Sequence, residues 1–374
     1  MPAKLVLKYD LPGSFVEPQT YSLARNGKAR HVTQISSTAL ESDSMLPLGL
    51  SMLWESVEPE AALEERFGFN SFGAATHWVS AVLEQTWGLT ALECSRMAIS
   101  DQNAIVWVAS DRGGLVVKWS RATERFENLE ASTRLLSALA AQGVPVPSPI
   151  TSLNGLDRET LLVRETLLAW ETLEGPSCAV SFTVLPELAG DWLDVQDHAA
   201  VRSAGACLAE IHRTLGATHV DGSVFSSRST GLKERIGGWL ENFDRGFAPE
   251  ATRRLGGLLA RASELDDQIQ LVHNDFRAAN ILTRNSRTTG VLDFDDVVID
   301  HRVSDLAKAS VYLGTLFTDW RPTPIAVRQS LRAGYESVRP LSRSETEWFE
   351  ILELWHGLMA IPGENDTAGW ASAL

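Results

Sequence analysis

The sequence predicts an α+β fold built as two lobes, a small β-rich lobe followed by a larger, mostly helical one. Three observations carry that expectation. The chain has 374 residues, and at roughly 150 residues per domain such a length favours two domains or one bilobal unit. Strand signals crowd the stretch that ends near Glu187, whereas the remainder repeats apolar residues at helical spacing. Pro186 and Gly190 break the chain between the two. The organisation therefore reads as an N-terminal extension over 1–62, an N-lobe over 63–187 and a C-lobe over 188–374.

Within the extension, residues 5–9 are a candidate strand, residues 32–44 are polar and rich in Ser and Thr, and residues 45–54 form an apolar patch. Over 72–87, Val79, Val82, Leu83 and Trp87 share one helical face and Gly88 follows as a stop, which predicts a surface helix. Residues 105–109 and 115–119 are β-branched or aromatic runs around Ser-Asp-Arg-Gly-Gly, the pattern of a hairpin. Over 124–141, Leu129, Leu135, Leu136 and Leu139 recur at helical spacing before Gly143 and a Pro-rich stretch. Strand signals return at 161–165 and 180–185. In the second lobe, 198–215 places Val201, Ala204, Leu208, Ile211 and Leu215 on one face, with Gly216 as the stop. Ser344-x-x-Glu347 reads as a capping box before Trp348, Ile351, Leu352, Trp355 and Met359, with Glu345, Glu347, Glu350 and Glu353 as a solvated face.

Composition narrows the function. Lys and Arg total 33 against 48 Asp and Glu, a net charge of −15, and 44% of residues are apolar. That acidic balance argues against broad binding to nucleic-acid phosphate or to an anionic membrane, since both need clustered Lys and Arg. The opening residues carry no apolar core of a leader, and no run of about 18 apolar residues occurs, so a cytoplasmic protein is expected. Cys94, Cys178 and Cys207 show no CxxC spacing and sit in apolar contexts, which predicts buried packing instead of disulfides or zinc.

The chemistry concentrates in one segment of the second lobe. Two short apolar runs, 280–282 and 290–294, flank a turn rich in Asn, Ser, Thr and Gly, the pattern of a second hairpin. It carries His273, Asp275 and Asn280 at its start and Asp293 with Asp295 at its end, so pairing brings the second acidic group beside the first. Carboxylates and an amide oxygen are hard ligands that suit Mg²⁺, whose shell a substrate's phosphates complete. Phosphoryl transfer needs that set, because its transition state calls for a positioned hydroxyl and cations that neutralise developing charge. In that chemistry Asp275 orients or deprotonates the acceptor, Asn280 and Asp293 hold the metal, and Arg277 adds a positive contact to the moving group.

The same residues carry a resemblance. His273-Asn-Asp275-Phe-Arg-Ala-Ala-Asn280 and Leu292-Asp293-Phe294-Asp295 resemble the catalytic loop and metal-binding segment of the aminoglycoside phosphotransferase and choline kinase-like family, which has the protein-kinase fold. Val116-Val117-Lys118 resembles the strand whose lysine contacts phosphates, and Leu208-Ala-Glu-Ile-His212 the helix before the catalytic loop. Asp305 is similar to the residue that braces that loop. The resemblance implies a protein-kinase-like bilobal fold with ATP in the cleft, Lys118 on its phosphates, and adenine against the backbone at Val184, Pro186 and Glu187. It also implies transfer of the γ-phosphoryl group of Mg²⁺–ATP to a hydroxyl of a small molecule: an aminoglycoside-like antibiotic, an amino alcohol or a sugar. Five aspartates between 293 and 305 hint at a cationic acceptor.

Departures from the pattern matter as well. No G-x-G-x-x-G precedes Lys118, so the turn at 100–103, with Asn103, is expected to cover the phosphates. The helix offers Glu127 and Glu130 as the lysine's partner, with Glu130 preferred, although counting back from Val-Pro-Val-Pro points to Ser132 or Thr133. These departures motivate a competing reading, a catalytically silent nucleotide-binding protein, and a homoserine- or choline-type metabolite kinase is a further alternative. Phosphorylation of protein side chains is not expected, because no A-P-E follows Asp293. His273 reads as a brace of the loop, and His212 as a satisfied core histidine.

Overall fold

The computed structural model describes residues 46–162, 179–218, 224–228, 231–317 and 320–374. The candidate strand at 5–9, the polar stretch at 32–44, Cys178 and the end of the strand expected at 161–165 lie outside them. Strands β1 (Gly49–Met52), β2 (Ala91–Ile99), β3 (Asn103–Ser110), β4 (Gly113–Ser120), β5 (Glu159–Leu162) and β6 (Ala179–Pro186) form one sheet in the order β1-β2-β3-β4-β6-β5. β1 lies parallel to β2, and every other pair is antiparallel.

Alternation along the strands sends Val106, Val117, Trp119, Phe182 and Val184 to one face, where α1 (Pro59–Phe67) and α2 (Phe72–Val82) cover them. Trp78 of α2 is the hub, its ring 5.3 Å from that of Trp119 and 5.6 Å from that of Phe182. Each such ring contributes about 1.5–3 kcal/mol through apolar burial, which is why two helices ahead of the main sheet are held to it. On the other face Ile105, Lys118 and Thr183 stand directly across from one another. That face looks toward α3 (Phe126–Ala141), which packs on the turn at Phe294–Asp296.

Three expectations change here. The boundary drawn at residue 62 falls inside α1, and β1 already belongs to the sheet, so the described end of the supposed extension is part of the N-lobe. The helix over 72–87 is present, but its last turn, Leu83–Trp87, widens to a π-helix before Gly88 at φ 64°. β2 was not foreseen, because Ala-Leu-Glu-Cys-Ser-Arg-Met is rich in helix formers and lacks clean alternation; its pairing with β3 overrides that preference.

The second lobe contains a short strand β7 (Asp191–Trp192), then α4 (His198–Ala217), α5 (Leu232–Asn242), α6 (Pro249–Arg261), β8 (Ile269–Val272), β9 (Ile281–Arg284) and β10 (Arg287–Val291). After these come β11 (Val298–His301), α7 (Arg302–Tyr312), α8 (Ile325–Val338) and α9 (Arg343–Ala360). Asp197 caps α4 by accepting from the Ala199 and Ala200 amides at 3.0 Å. Gly216, expected as the stop of α4, lies within it. α4 and α8 meet backbone to backbone, because a Cβ on Gly205 would run into the Leu331 carbonyl and one on Gly334 into the Arg202 carbonyl.

The capping box of α9 is Ser342 with Glu345, two residues earlier than expected: Ser342 Oγ accepts from the Glu345 amide at 3.1 Å, and Glu345 accepts from the Ser342 amide at 2.8 Å. Glu345 also pairs with Arg339 at 2.5 Å and is buried, so it does not belong to a solvated face. Burial also lifts Glu353 above the usual carboxylate range, against its bond from Ser310. Cys207 is buried as expected, its thiol pushed up to about 12 by desolvation, while Cys94 is half-buried. Among the described residues no helix is long and apolar enough to cross a membrane.

Candidate active site

β8 feeds the chain into the loop at 273–280, and the β9–β10 hairpin brings it back. The hairpin turns at Asn285 and Ser286, both in the left-handed region with φ 51° and 57°, as a two-residue turn between right-twisted strands requires. The Leu292 amide donates to the Asn280 carbonyl at 2.8 Å, which sets Asp293 beside Asn280.

His273 is fully buried and joins the two arms. Its Nδ1 accepts from the Asp275 amide at 3.2 Å, so Nε2 carries the proton and donates to the Leu292 carbonyl at 3.0 Å. Asp305, in the first turn of α7, accepts from the His273 amide at 3.1 Å and the Asn274 amide at 2.8 Å. Its carboxylate also meets His212 Nε2 at 2.9 Å, and His212 Nδ1 meets the Tyr335 hydroxyl at 2.9 Å. Burial alone would raise the Asp305 pKa, but His212 and the neighbouring positive charges hold it below the usual range.

Asn274 and Asp293 both sit at positive φ, 65° and 63°. A non-glycine residue in that region costs of order 1 kcal/mol and persists where its surroundings over-determine it. Asn274 meets that condition. Its side chain donates to the Asp296 carbonyl at 3.0 Å and accepts from Arg228 at 3.2 Å and Lys308 at 3.0 Å.

The carboxylate at the centre of the loop is held from two sides. Asn280 Nδ2 donates to Asp275 Oδ2 at 2.8 Å and to its carbonyl at 2.9 Å. Arg277 Nε lies 3.1 Å from both Asp275 oxygens. Arg277 is itself fixed, since its Nη1 donates to the Leu316 carbonyl at 2.9 Å and its guanidinium lies 5.5 Å from the Trp320 ring. The Asp275 side chain remains 26% exposed, so it is accessible from solvent.

Lys118 links this loop to the N-lobe. Its ammonium donates to Asp293 at 2.6 Å and to Asp295 at 2.7 Å. Burial alone would lower its pKa, but the two carboxylates outweigh that and raise it, so the amine stays charged. Asp295 is in turn held well below the usual carboxylate range: burial opposes ionisation, and Lys118 with Arg158 and Arg125 overcomes it.

The other expected residues fall unevenly. The Ser100 amide donates to the Asn103 carbonyl at 2.8 Å, and Asn103 pairs with Ser120, so the turn at 100–103 stands at the lysine end of β4. Glu130 is not the lysine's partner; it is exposed and bonded to Arg134 at 2.5 Å, one turn along α3. Thr133 occupies the inward position and accepts from Arg158 Nε at 2.7 Å. At the lobe junction two groups are already used: the Val184 carbonyl accepts from the Ile150 amide at 2.8 Å, and the Glu187 amide donates to Gly114 at 2.9 Å. Pro186 has no N–H to offer. Neither of those engaged groups is open to adenine.

Asn280 and Asp293 fit a Mg²⁺ ion as a donor set. The Asn280 amide nitrogen is committed to Asp275, which leaves its oxygen as the group to present, and Asp293 adds a carboxylate whose side chain is 41% exposed. Among the described residues no group of three or more His, Cys, Asp or Glu converges as a metal cage. An ion that takes one or two carboxylates and completes its shell with phosphate and water needs none.

Sequence reasoning missed Arg158 and Arg125. Each is a lone arginine outside any motif, and only the fold brings it to the hairpin: Arg125 donates to the Asp295 carbonyl at 2.6 Å, and Arg158 lies 3.8 Å from the Asp295 carboxylate.

Comparison with known proteins agrees with this geometry. No curated protein matches the sequence. Among solved structures, an amicoumacin kinase in complex with AMP-PNP, Ca²⁺ and amicoumacin is 15% identical over 76% of this chain and 85% of its own, with a TM-score of 0.50. A microcompartment-associated aminopropanol kinase is 17% identical over 79% of this chain and 92% of its own, with a TM-score of 0.51. Both share the bilobal fold. The profile described as the phosphotransferase enzyme family matches residues 98–343, from the end of β2 through the strand of Lys118, the loop at 273–280 and the hairpin. The chain therefore belongs to the phosphotransferase enzyme family, whose chemistry is that of kinases acting on hydroxyl groups of small molecules.

Proposed function

We propose that the chain transfers the γ-phosphoryl group of Mg²⁺–ATP to a hydroxyl of a small molecule. One observation carries the reading. Asp275, partly open to solvent, is locked by Asn280 and Arg277 in the loop that enters the hairpin, and the hairpin's far end presents Asp293 to Lys118. Asp275 orients the acceptor hydroxyl and takes its proton as the new O–P bond forms and the bond to the departing nucleoside diphosphate breaks. Arg277 pairs with the carboxylate at 3.1 Å and stands where charge develops on the moving group. Lys118 holds nucleotide phosphate, and the Ser100–Asn103 turn closes over it. Asn280 and Asp293 would hold Mg²⁺, which supplies neutralisation of phosphate charge when bound.

The acceptor class is an aminoglycoside-like antibiotic, an amino alcohol or a sugar. The expectation of a cationic acceptor loses its footing, because the aspartates behind it are engaged. Asp293 and Asp295 meet Lys118, Asp296 meets Arg125, Asp300 meets Arg235 and Arg228, and Asp305 meets His212. The silent-binder reading drew on the missing glycine loop and on an unclear partner for Lys118; the second ground is weakened, since Asp293 and Asp295 both meet the lysine.

The test is Asp275→Asn in the full chain. Turnover of Mg²⁺–ATP with a panel of amino alcohols, sugars and aminoglycosides is expected to fall by at least about 10²-fold while nucleotide binding is retained. Full turnover in that variant would remove Asp275 from the mechanism.

A further inference from the structure

The reaction as set out leaves two groups unused, the half-buried second carboxylate on Lys118 and the buried arginine beside it. Lys118 donates to Asp293 at 2.6 Å and to Asp295 at 2.7 Å. Asp293 is the carboxylate assigned to the metal, so Asp295 is the one left to hold the lysine. Helix α3 offers no substitute. Its inward residue is Thr133, whose hydroxyl accepts from Arg158, and its Glu130 is exposed and bound to Arg134.

Arg158 is built into this place. Its side chain is 5% exposed; Nε donates to Thr133 Oγ1 at 2.7 Å, Nη1 to Ser181 Oγ at 3.2 Å, and Nη2 lies 3.8 Å from Asp295 Oδ1. Arg125, at the start of α3, donates to the Asp295 carbonyl at 2.6 Å and to the Asp296 carboxylate at 2.8 Å. Asp295 stands two residues past Asp293 in the C-lobe, whereas Lys118, Arg125 and Arg158 all belong to the N-lobe. Once Asp293 is committed elsewhere, Lys118 and Arg158 share a single carboxylate, and the surplus positive charge suits a phosphate group.

We propose that Asp295, braced by Arg158, is the positioning residue for Lys118, so that the lysine is aimed at nucleotide phosphate only while the two lobes are closed on each other; the proposal rests on the phosphotransferase reading above. The positioning carboxylate comes from across the cleft instead of from α3. Closure and assembly of the phosphate clamp are thus one event.

A double-mutant cycle on nucleotide affinity tests this. Binding of Mg²⁺–AMP-PNP to the full chain is measured by titration calorimetry for wild type, Lys118→Met, Asp295→Asn and the double variant. Loss of one charge-assisted contact corresponds to about tenfold weaker binding for Asp295→Asn in the wild-type background. In the Lys118→Met background the same change is expected to matter less than about twofold, because a residue that acts through the lysine has nothing left to act on. Arg158→Met is expected to weaken binding in the same lysine-dependent way and Arg158→Lys to recover part of it, which carries the cycle if Asp295→Asn does not fold. An equal loss with and without Lys118, no loss in the wild-type background, or the same loss in Glu130→Gln would overturn the proposal. A wild-type chain that binds no nucleotide would instead overturn the phosphotransferase reading itself.

Discussion

Asp305→Ala is the perturbation whose cost the structure sets out most fully. The carboxylate is buried and accepts three hydrogen bonds, from the His273 amide at 3.1 Å, the Asn274 amide at 2.8 Å and His212 Nε2 at 2.9 Å. Truncation leaves two buried donors and one half-buried donor unpaired, at about 1–3 kcal/mol for each buried one, offset by the desolvation cost that the carboxylate itself no longer incurs. The net loss is about 3–5 kcal/mol, a large share of a stability of about 5–15 kcal/mol. Function suffers separately. Asn274, in its left-handed conformation, precedes Asp275, and a loop released by even about 1 Å costs on the order of 10²-fold in rate. Urea unfolding followed by tryptophan fluorescence at pH 7, with turnover measured at temperatures where the variant is folded, reads both effects. A loss under about 1 kcal/mol with unchanged turnover would refute the bracing role.

Two further outcomes follow from the packing and the charges. Gly205→Ala places a methyl group against the Leu331 carbonyl where α4 crosses α8, and backbone cannot yield there as a side chain would; thermal unfolding is expected to show a loss of about 2–4 kcal/mol, whereas Gly237→Ala, with nothing within 4 Å, shows none. For Asp300, burial alone would raise the pKa, but Arg235 at 2.9 Å and Arg228 at 3.1 Å hold it below the usual range. Its contribution is therefore fully present above the unfolded-state value of about 3.9 and is lost as pH falls through the lower folded value, so Asp300→Asn should flatten the acid limb of the stability profile below about pH 4 and lower the plateau above it.

The legible parts of the molecule were those where a local rule has one solution. Helix α3, the β3–β4 hairpin and a second hairpin turning in the polar stretch after Leu282 follow from spacing and turn residues, and the five-residue step from Asp275 to Asn280 singles out the loop at 273–280. Where two local solutions compete, tertiary contacts decide. Ser342-x-x-Glu345 and Ser344-x-x-Glu347 are equally good capping boxes on paper; the Arg339 pair with Glu345 and the Ser263 bond to Glu347 at 2.7 Å select the first. Gly216 reads as a stop, yet its helix runs on to Ala217, with Gln270 against the glycine. Glu130 was sought as the lysine's partner because the rule looks along one helix. The actual carboxylates arrive from a hairpin more than a hundred residues later, a pairing with no local sequence signal. Arg158 is illegible for the same reason, since its partners Thr133, Ser181 and Asp295 come from three separate segments.

The most direct test of the central claim is transfer of label from γ-³²P-ATP to a hydroxyl acceptor. Wild-type chain with Mg²⁺ and a panel of amino alcohols, sugars and aminoglycosides is expected to yield one labelled phosphoester, absent when Asp293→Ala replaces the wild type. Nucleotide that binds with metal but gives no labelled product on any acceptor, or product formed equally by the Asp293→Ala variant, would contradict it.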